Sequence, residues 1–159
     1  MQTDVWNILD TCAFLSQIHP DGKIATVNGI GNEIVNRQSK QYYSNLKSKG
    51  LKVIEPQPDS ITHVEKTAQK TGDLDVLSDI DLQILALGHE VEGIIISDDF
   101  AIQNVALHMG IKVISCSGNK IKELRVWDYK CSGCDFVTKN KRETCQVCGS
   151  KDIFRIKVK

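Results

Sequence analysis

LSDIDLQILALG at residues 77–88 and IIISDD at residues 94–99 are the stretches whose reading decides the fold. In the first, Ser78 is placed to cap a helix, with Asp81 at the N3 position where a carboxylate reaches back to the cap. Leu77, Ile80, Ile84, Leu85 and Leu87 recur at helical spacing, so one face of that helix is core and Asp81 sits in its first turn, beside buried structure. The second stretch is a short apolar run, read as a buried strand, that stops abruptly at Ser97-Asp98-Asp99. Residues 5–9 have the same form and stop at Asp10. Acids at the ends of two buried strands and at one helix start can meet at the carboxyl edge of a parallel sheet, where open α/β sheets form their clefts.

Outward from there, helices are expected over 11–18, from an opening at Asn28-Gly29-Ile30-Gly31 through Glu33-Ile34-Val35, and over 39–49, 60–70 and 100–108. Extended segments are expected over 23–27, 51–55, 94–97 and 111–115. Strands separated by helices imply βαβ units: an α/β body over residues 1–118 with a mostly parallel sheet flanked by helices. Asn28-Gly29-Ile30-Gly31 is glycine-rich, but no Lys-Ser/Thr follows, so a nucleotide-binding P-loop is not expected. No apolar run approaches the length of a membrane span, and the N-terminus lacks the basic start and cleavage site of a secretory signal. A cytosolic (cytoplasmic) protein is the expectation.

A short linker at 119–126 leads to a second unit, residues 127–159. There Cys131-Ser-Gly-Cys134 and Cys145-Gln-Val-Cys148 enclose ten residues. Each C-x-x-C curls into a knuckle that brings two sulfurs to one metal, and two knuckles supply tetrahedral S₄ coordination, so Cys131, Cys134, Cys145 and Cys148 read as a zinc ribbon. Four thiolates leave no open position for water, which makes the zinc a folding staple rather than a catalyst. The remaining two of the six cysteines, Cys12 and Cys116, have no partner at ligand spacing and read as small buried hydrophobes.

The net charge of zero hides a split. Residues 1–119 carry 9 Lys+Arg against 15 Asp+Glu, a balance of −6, and residues 120–159 carry 11 against 5, a balance of +6. A basic tail on an acidic body points to an anionic partner gripped by the tail. Lys139, Lys141 and Arg142 lie between the knuckles, interleaved with Trp127, Tyr129, Phe136 and Phe154, a mix suited to phosphate contact and base stacking in RNA binding. The acids, in turn, can share a cleft and stay ionised only if cations neutralise them, and hard oxygen ligands suit Mg²⁺ or Mn²⁺. Each acid also has a plainer role as a helix cap or a dipole partner.

Leu9-Asp10-Thr11 after the first strand, Asn32-Glu33-Ile34, Gly72-Asp73-Leu74 with Ser78 and Asp81, and Ser97-Asp98-Asp99-Phe100 together resemble the PIN-domain nucleases. With a C-terminal four-cysteine ribbon, the pattern resembles the Nob-type endonucleases that mature the 3′ end of small-subunit ribosomal RNA. The resemblance implies a five-stranded parallel sheet, Mg²⁺- or Mn²⁺-dependent cleavage of single-stranded RNA, and the precursor small ribosomal subunit as partner. It implies Asp10, Glu33, Asp81 and Asp98 as the metal-holding catalytic set, with Asp99 as a helper. Cys12 stands where a serine is common in the family, and Asn28–Gly31 replaces a proline-containing helix start. A toxin-type PIN ribonuclease acting on tRNA or mRNA and a non-catalytic ribosome assembly factor are the alternatives. The sequence leaves the oligomeric state open.

Overall fold

The computed structural model describes residues 4–158; Lys159, one of the cations of the basic tail, lies outside them. Five strands, β1 (Trp6–Leu9), β2 (Lys23–Thr26), β3 (Lys52–Val53), β4 (Ile94–Ile96) and β5 (Lys112–Ile114), form one sheet in the order β3-β2-β1-β4-β5, with every neighbouring pair parallel. After β1 the chain winds outward through α1 (Thr11–Leu15), β2, α2 (Ile30–Glu33) and α3 (Arg37–Ser48) to β3. It then returns through α4 (Pro58–Thr71), a 3₁₀ turn (Leu74–Val76) and α5 (Asp79–Glu90) to β4 on the other side of β1, and α6 (Phe100–His108) leads to β5. The winding reverses between β1 and β4, so their carboxyl ends open a crevice between them.

The three inner strands, β2, β1 and β4, are buried on both sides, and their alternation divides the core in two. Ile8, Ala25 and Ile95 face α4, α5 and α6, packing with Val64, Ala68, Leu85, Ile102 and Val105. Leu9, Ile24 and Ile96 face the other way, onto Phe14, Ile30, Ile34 and Leu46 of α1, α2 and α3. Five residues of α5, Ile84 to Gly88, are buried in a row, more than the single apolar face the spacing predicts, because the helix lies between the sheet and α4. Gly88 permits that approach: a β-carbon there would stand 2.8 Å from Ile95 Cγ1.

The helix expected over 11–18 stops at Leu15, because Ser16 closes it and Gln17 turns left-handed at φ 52°. The extended stretch 51–55 shrinks to Lys52–Val53 plus a ladder bond from Ile54 N to the Thr26 carbonyl at 2.9 Å. Helix α3 starts two residues early, where Asn36 Oδ1 accepts from Ser39 N.

Residues 119–126 are tied to the body along α6. The Gln103 amide accepts from Ile121 N and donates to the Asn119 and Ser97 carbonyls, and the Asn104 amide pairs with both backbone groups of Arg125. The second unit is a three-stranded antiparallel sheet, β7 (Val137–Thr138), β6 (Trp127–Cys131) and β8 (Ile153–Lys157), in the order β7-β6-β8. Among the described residues no helix is long and apolar enough to cross a membrane.

Candidate active site

Asp10 follows β1 directly and caps α1, with Oδ1 accepting from Thr11 N at 2.7 Å. Its Oδ2 accepts from Ser97 Oγ, also at 2.7 Å, so residues at the ends of β1 and β4 close the floor of the crevice. Thr11 Oγ1 donates to Glu33 Oε2 at 2.6 Å and draws the end of α2 to the same rim. Asp81 completes a reciprocal capping box: Ser78 Oγ accepts from Asp81 N, and Asp81 Oδ2 accepts from Ser78 N. Asp99 caps α6, with Oδ1 accepting from Ala101 N and Ile102 N. Asp10, Asp81 and Asp99 therefore each hold a helix N-terminus, and Glu33, at the end of α2, is held to the first of these helices through Thr11.

The electrostatics bind these groups together. Burial pushes the Asp10 carboxyl up to about 6, against the hydrogen bonds from Ser97 and Thr11, and the charges of Asp81 and Asp99 add to the rise. Burial likewise raises Asp81, with Asp99 and Glu33 adding to it. The charges of Asp81 and Asp99 thus reach Asp10, and those of Asp99 and Glu33 reach Asp81.

Asp98 has different partners. Its Oδ1 accepts from Ser115 Oγ at 2.5 Å and Ser117 N at 3.1 Å, and although burial acts to raise it, these bonds hold the carboxyl below its usual value. Successive residues leaving a strand diverge, and of the adjacent pair it is Asp99 that is coupled to Asp10. Asp98 instead meets Cys12 and Cys116, the carboxylate oxygen and both sulfurs lying within 4.8 Å of one another. The two sulfurs are 2.9 Å apart and burial raises both thiols, so these cysteines are a facing pair rather than isolated fillers. No three of Asp10, Glu33, Asp81 and Asp99 meet the 4.8 Å spacing. A hydrated Mg²⁺, which takes one or two carboxylates directly and keeps several waters, requires no closer spacing.

The four ribbon cysteines converge within 4.8 Å, with Cys131 and Cys148 sulfurs 3.5 Å apart and Cys134 and Cys145 sulfurs 3.6 Å apart. A tetrahedron with Zn–S near 2.3 Å has an edge of about 3.8 Å, so the set fits a structural zinc. Backbone N–H groups of Gly133 and Val147 point at Cys131 and Cys145 sulfurs, as C-x-x-C knuckles require. Lys139, Lys141 and Arg142 are exposed on the loop beyond β7, and Lys139 and Lys141 share a groove with Gln69, Leu74 and Asp75 of the body. Two of the interleaved aromatics are spent elsewhere. Tyr129 is buried and donates to Asp75, and Trp127 lies under the Arg155 guanidinium, whereas Phe154 is free to stack.

Sequence reasoning gave no role to Thr11, Ser97 and Ser115, which bond the acids, or to Gln103, Asn104 and Asp73, which hold residues 119–126 and the ribbon to the body. One signal was available: Gln103-Asn104, two adjacent amides in a helix that is otherwise largely apolar.

An acidic crevice at the switch point of a five-stranded parallel sheet is the construction of a PIN-type nuclease body. A family model described as the PIN domain of ribonuclease matches residues 8–91. Endoribonuclease Nob1 of Pyrococcus abyssi is 34% identical over 146 residues, covering 90% of this chain and 89% of its own. Its namesake from Archaeoglobus fulgidus is 33% identical over 156 residues, covering 94% and 90%. Ribonuclease VapC1 of Thermoplasma acidophilum is 35% identical over 99 residues, covering 62% of this chain and 51% of its own. The chain belongs to the PIN-domain family, in the branch of the archaeal Nob1 endoribonucleases.

Proposed function

We propose that this protein is a Mg²⁺- or Mn²⁺-dependent endoribonuclease that cleaves single-stranded RNA, with the 3′ end of precursor small-subunit ribosomal RNA as its substrate. The observation that carries the reading is the gathering of acids at the carboxyl ends of β1 and β4: Ser97 bonds Asp10, Thr11 bonds Glu33, and the charges of Asp81 and Asp99 reach Asp10. Like charges so placed favour a divalent cation. When bound, such an ion orients and activates a water for in-line attack on phosphorus and offsets the charge that develops there.

The chain's own residues prepare the site. Ser97 and Thr11 N fix both oxygens of Asp10, Thr11 Oγ1 turns Glu33 inward, and the capping box holds Asp81. In the ligand set, Asp99 takes the place that family resemblance assigns to Asp98, and Asp98 braces the loop at Ser115 and Ser117. Lys139, Lys141 and Arg142 grip the RNA, and one zinc on the four cysteines keeps their loop folded.

Incubating the protein with a small-subunit RNA 3′-end fragment, with and without Mn²⁺, tests the reading. Cleavage should require the ion and vanish in Asp10→Asn, and Asp99→Asn should lose more activity than Asp98→Asn. Wild-type cutting by Asp10→Asn would overturn it. The purified protein should hold one zinc, lost in Cys145→Ser. Relative coverage favours this reading over the toxin-type one, since the VapC1 match spans about half of that protein, whereas the matches to Nob1 of Pyrococcus abyssi and Archaeoglobus fulgidus are nearly end to end.

A further inference from the structure

The acidic body carries one segment of opposite sign. Residues 34–54 hold five cations, Arg37, Lys40, Lys47, Lys49 and Lys52, and no acid; the rest of residues 1–119 holds four cations against fifteen acids. All five are exposed, and among the described residues none is in an ion pair, although Lys23, Lys130, Arg155 and Lys157 each are. Three of the five lie on α3. At 100° per residue, Arg37, Lys40 and Lys47 share one stripe with Gln41 and Ser44, opposite the buried Ser39 and Leu46. Two open grooves run along this stripe, one lined by Gln17, Gln38, Tyr42 and Asn45, the other by Val35, Lys40 and Ser44, and Arg37 and Gln41 line both.

The location gives the stripe its meaning. Glu33 ends α2 at the rim of the crevice, and Arg37 opens α3 four residues later, with the positive end of the helix beside it. A polyanion reaching a crevice lined by carboxylates needs cations on the approach; of the other body cations, Lys23 is paired with Asp4, Lys112 stands alone, and Lys66 and Lys70 lie one turn apart on α4. The exposed face is polar, with amide and hydroxyl groups between the charges, which suits a sugar–phosphate backbone better than an apolar protein surface.

We propose that the outer face of α3 is the track along which single-stranded RNA enters the crevice, its phosphates held by Arg37, Lys40 and Lys47 and its sugars by Gln41 and Ser44. The track rests on the nuclease reading and is distinct from the ribbon loop, which grips the RNA from the other unit.

The test measures binding without cleavage. In full-length, zinc-loaded protein carrying Asp10→Asn, affinity for a labelled single-stranded oligoribonucleotide is followed across a salt series without divalent ions. Replacing Arg37, Lys40 and Lys47 by Gln should lower affinity at least tenfold and reduce the slope of log K against log[salt] by about 2, at roughly 0.7 per phosphate contact on a single strand. Replacing Lys66, Lys70 and Lys112 by Gln removes the same charge elsewhere and should leave the slope within a few tenths. An unchanged slope in the first variant, or an equal loss in both, would overturn the track. Failure of the nuclease reading shows separately, as absence of Mn²⁺-dependent cutting by the unsubstituted protein.

Discussion

Asp10 is 7% exposed, and it is ionised at neutral pH only at a cost to the fold. Its carboxyl is raised from 3.8 to about 6, so protonation favours the folded state: the benefit is full below pH 3.8 and lost as pH rises through 6. Two units correspond to about 3 kcal/mol at neutral pH, carried so that a cation can be held. Asp10→Asn should therefore be more stable than wild type by about 1–3 kcal/mol at pH 8 and no more stable at pH 3.5, measured by urea denaturation at both. Mn²⁺ should raise the melting temperature of the wild type at pH 8 and leave that of Asp10→Asn nearly unmoved, because only a cation that binds the native site stabilises it. At this scale the sequence was legible for Asp10 and Asp81, each marked by a strand end or a capping box. It was not legible for the different partners of Asp98 and Asp99, two like residues that diverge at a chain turn. The hydroxyls that orient the acids were hidden as well: Ser97 is 87 positions from Asp10 and Glu33 is 22 from Thr11, and a serine carries no mark of a partner so far away.

Helix α5 joins local coding to site construction. Its start is written in four consecutive residues, Ser78 to Asp81, and the box they predict is present with both bonds formed. Ser78→Ala should cost about 1 kcal/mol of stability, as loss of an N-cap does. The same change frees the Asp81 backbone, so cleavage should fall several-fold even where the protein remains fully folded, and Ser78→Thr should restore both. Equal activity in Ser78→Ala and wild type at full folding would show that the box serves stability alone. Parallel strands and helices were legible as elements because apolar runs and caps are local signals. Their limits were less so. The φ of Gln17 ends α1 three residues early, and β3 keeps two exposed residues because it is an edge strand paired only to β2. The burial of α5 on most of its surface also exceeds what a helical period expresses, since it depends on α4 lying over it.

At the scale of the whole molecule, the ribbon is seated on the body through a polar latch. Asp73 is 1% exposed and accepts from Thr71, Asn104 and Arg155, whose guanidinium also donates to the Gly72 carbonyl. Gly72, at φ 80°, lies so close beneath Trp127 that a β-carbon would overlap the Trp127 carbonyl oxygen. Charge counts and cysteine spacing signal two units of opposite sign, but nothing local in Asp73 or Arg155, 82 positions apart, signals that they meet. Removing one partner of such a pair leaves a buried charge short of donors, so Arg155→Met should lower stability by roughly 2–4 kcal/mol. Asp73→Asn should cost a similar amount, and the double variant less than the sum, which a double-mutant cycle in urea would read. The latch sits on residues 72–75, three positions before the Ser78 cap, so it also sets where the Lys139–Arg142 loop stands relative to the acids. Two RNA grips on one chain act at high effective concentration only while their spacing is fixed. Arg155→Met should therefore retain the salt-dependent RNA affinity supplied by each cationic surface yet cleave more slowly and at scattered positions, mapped by primer extension on the 3′-end fragment. Single-site cleavage at the wild-type rate in that variant would mean that the ribbon only tethers RNA and has no part in aligning it.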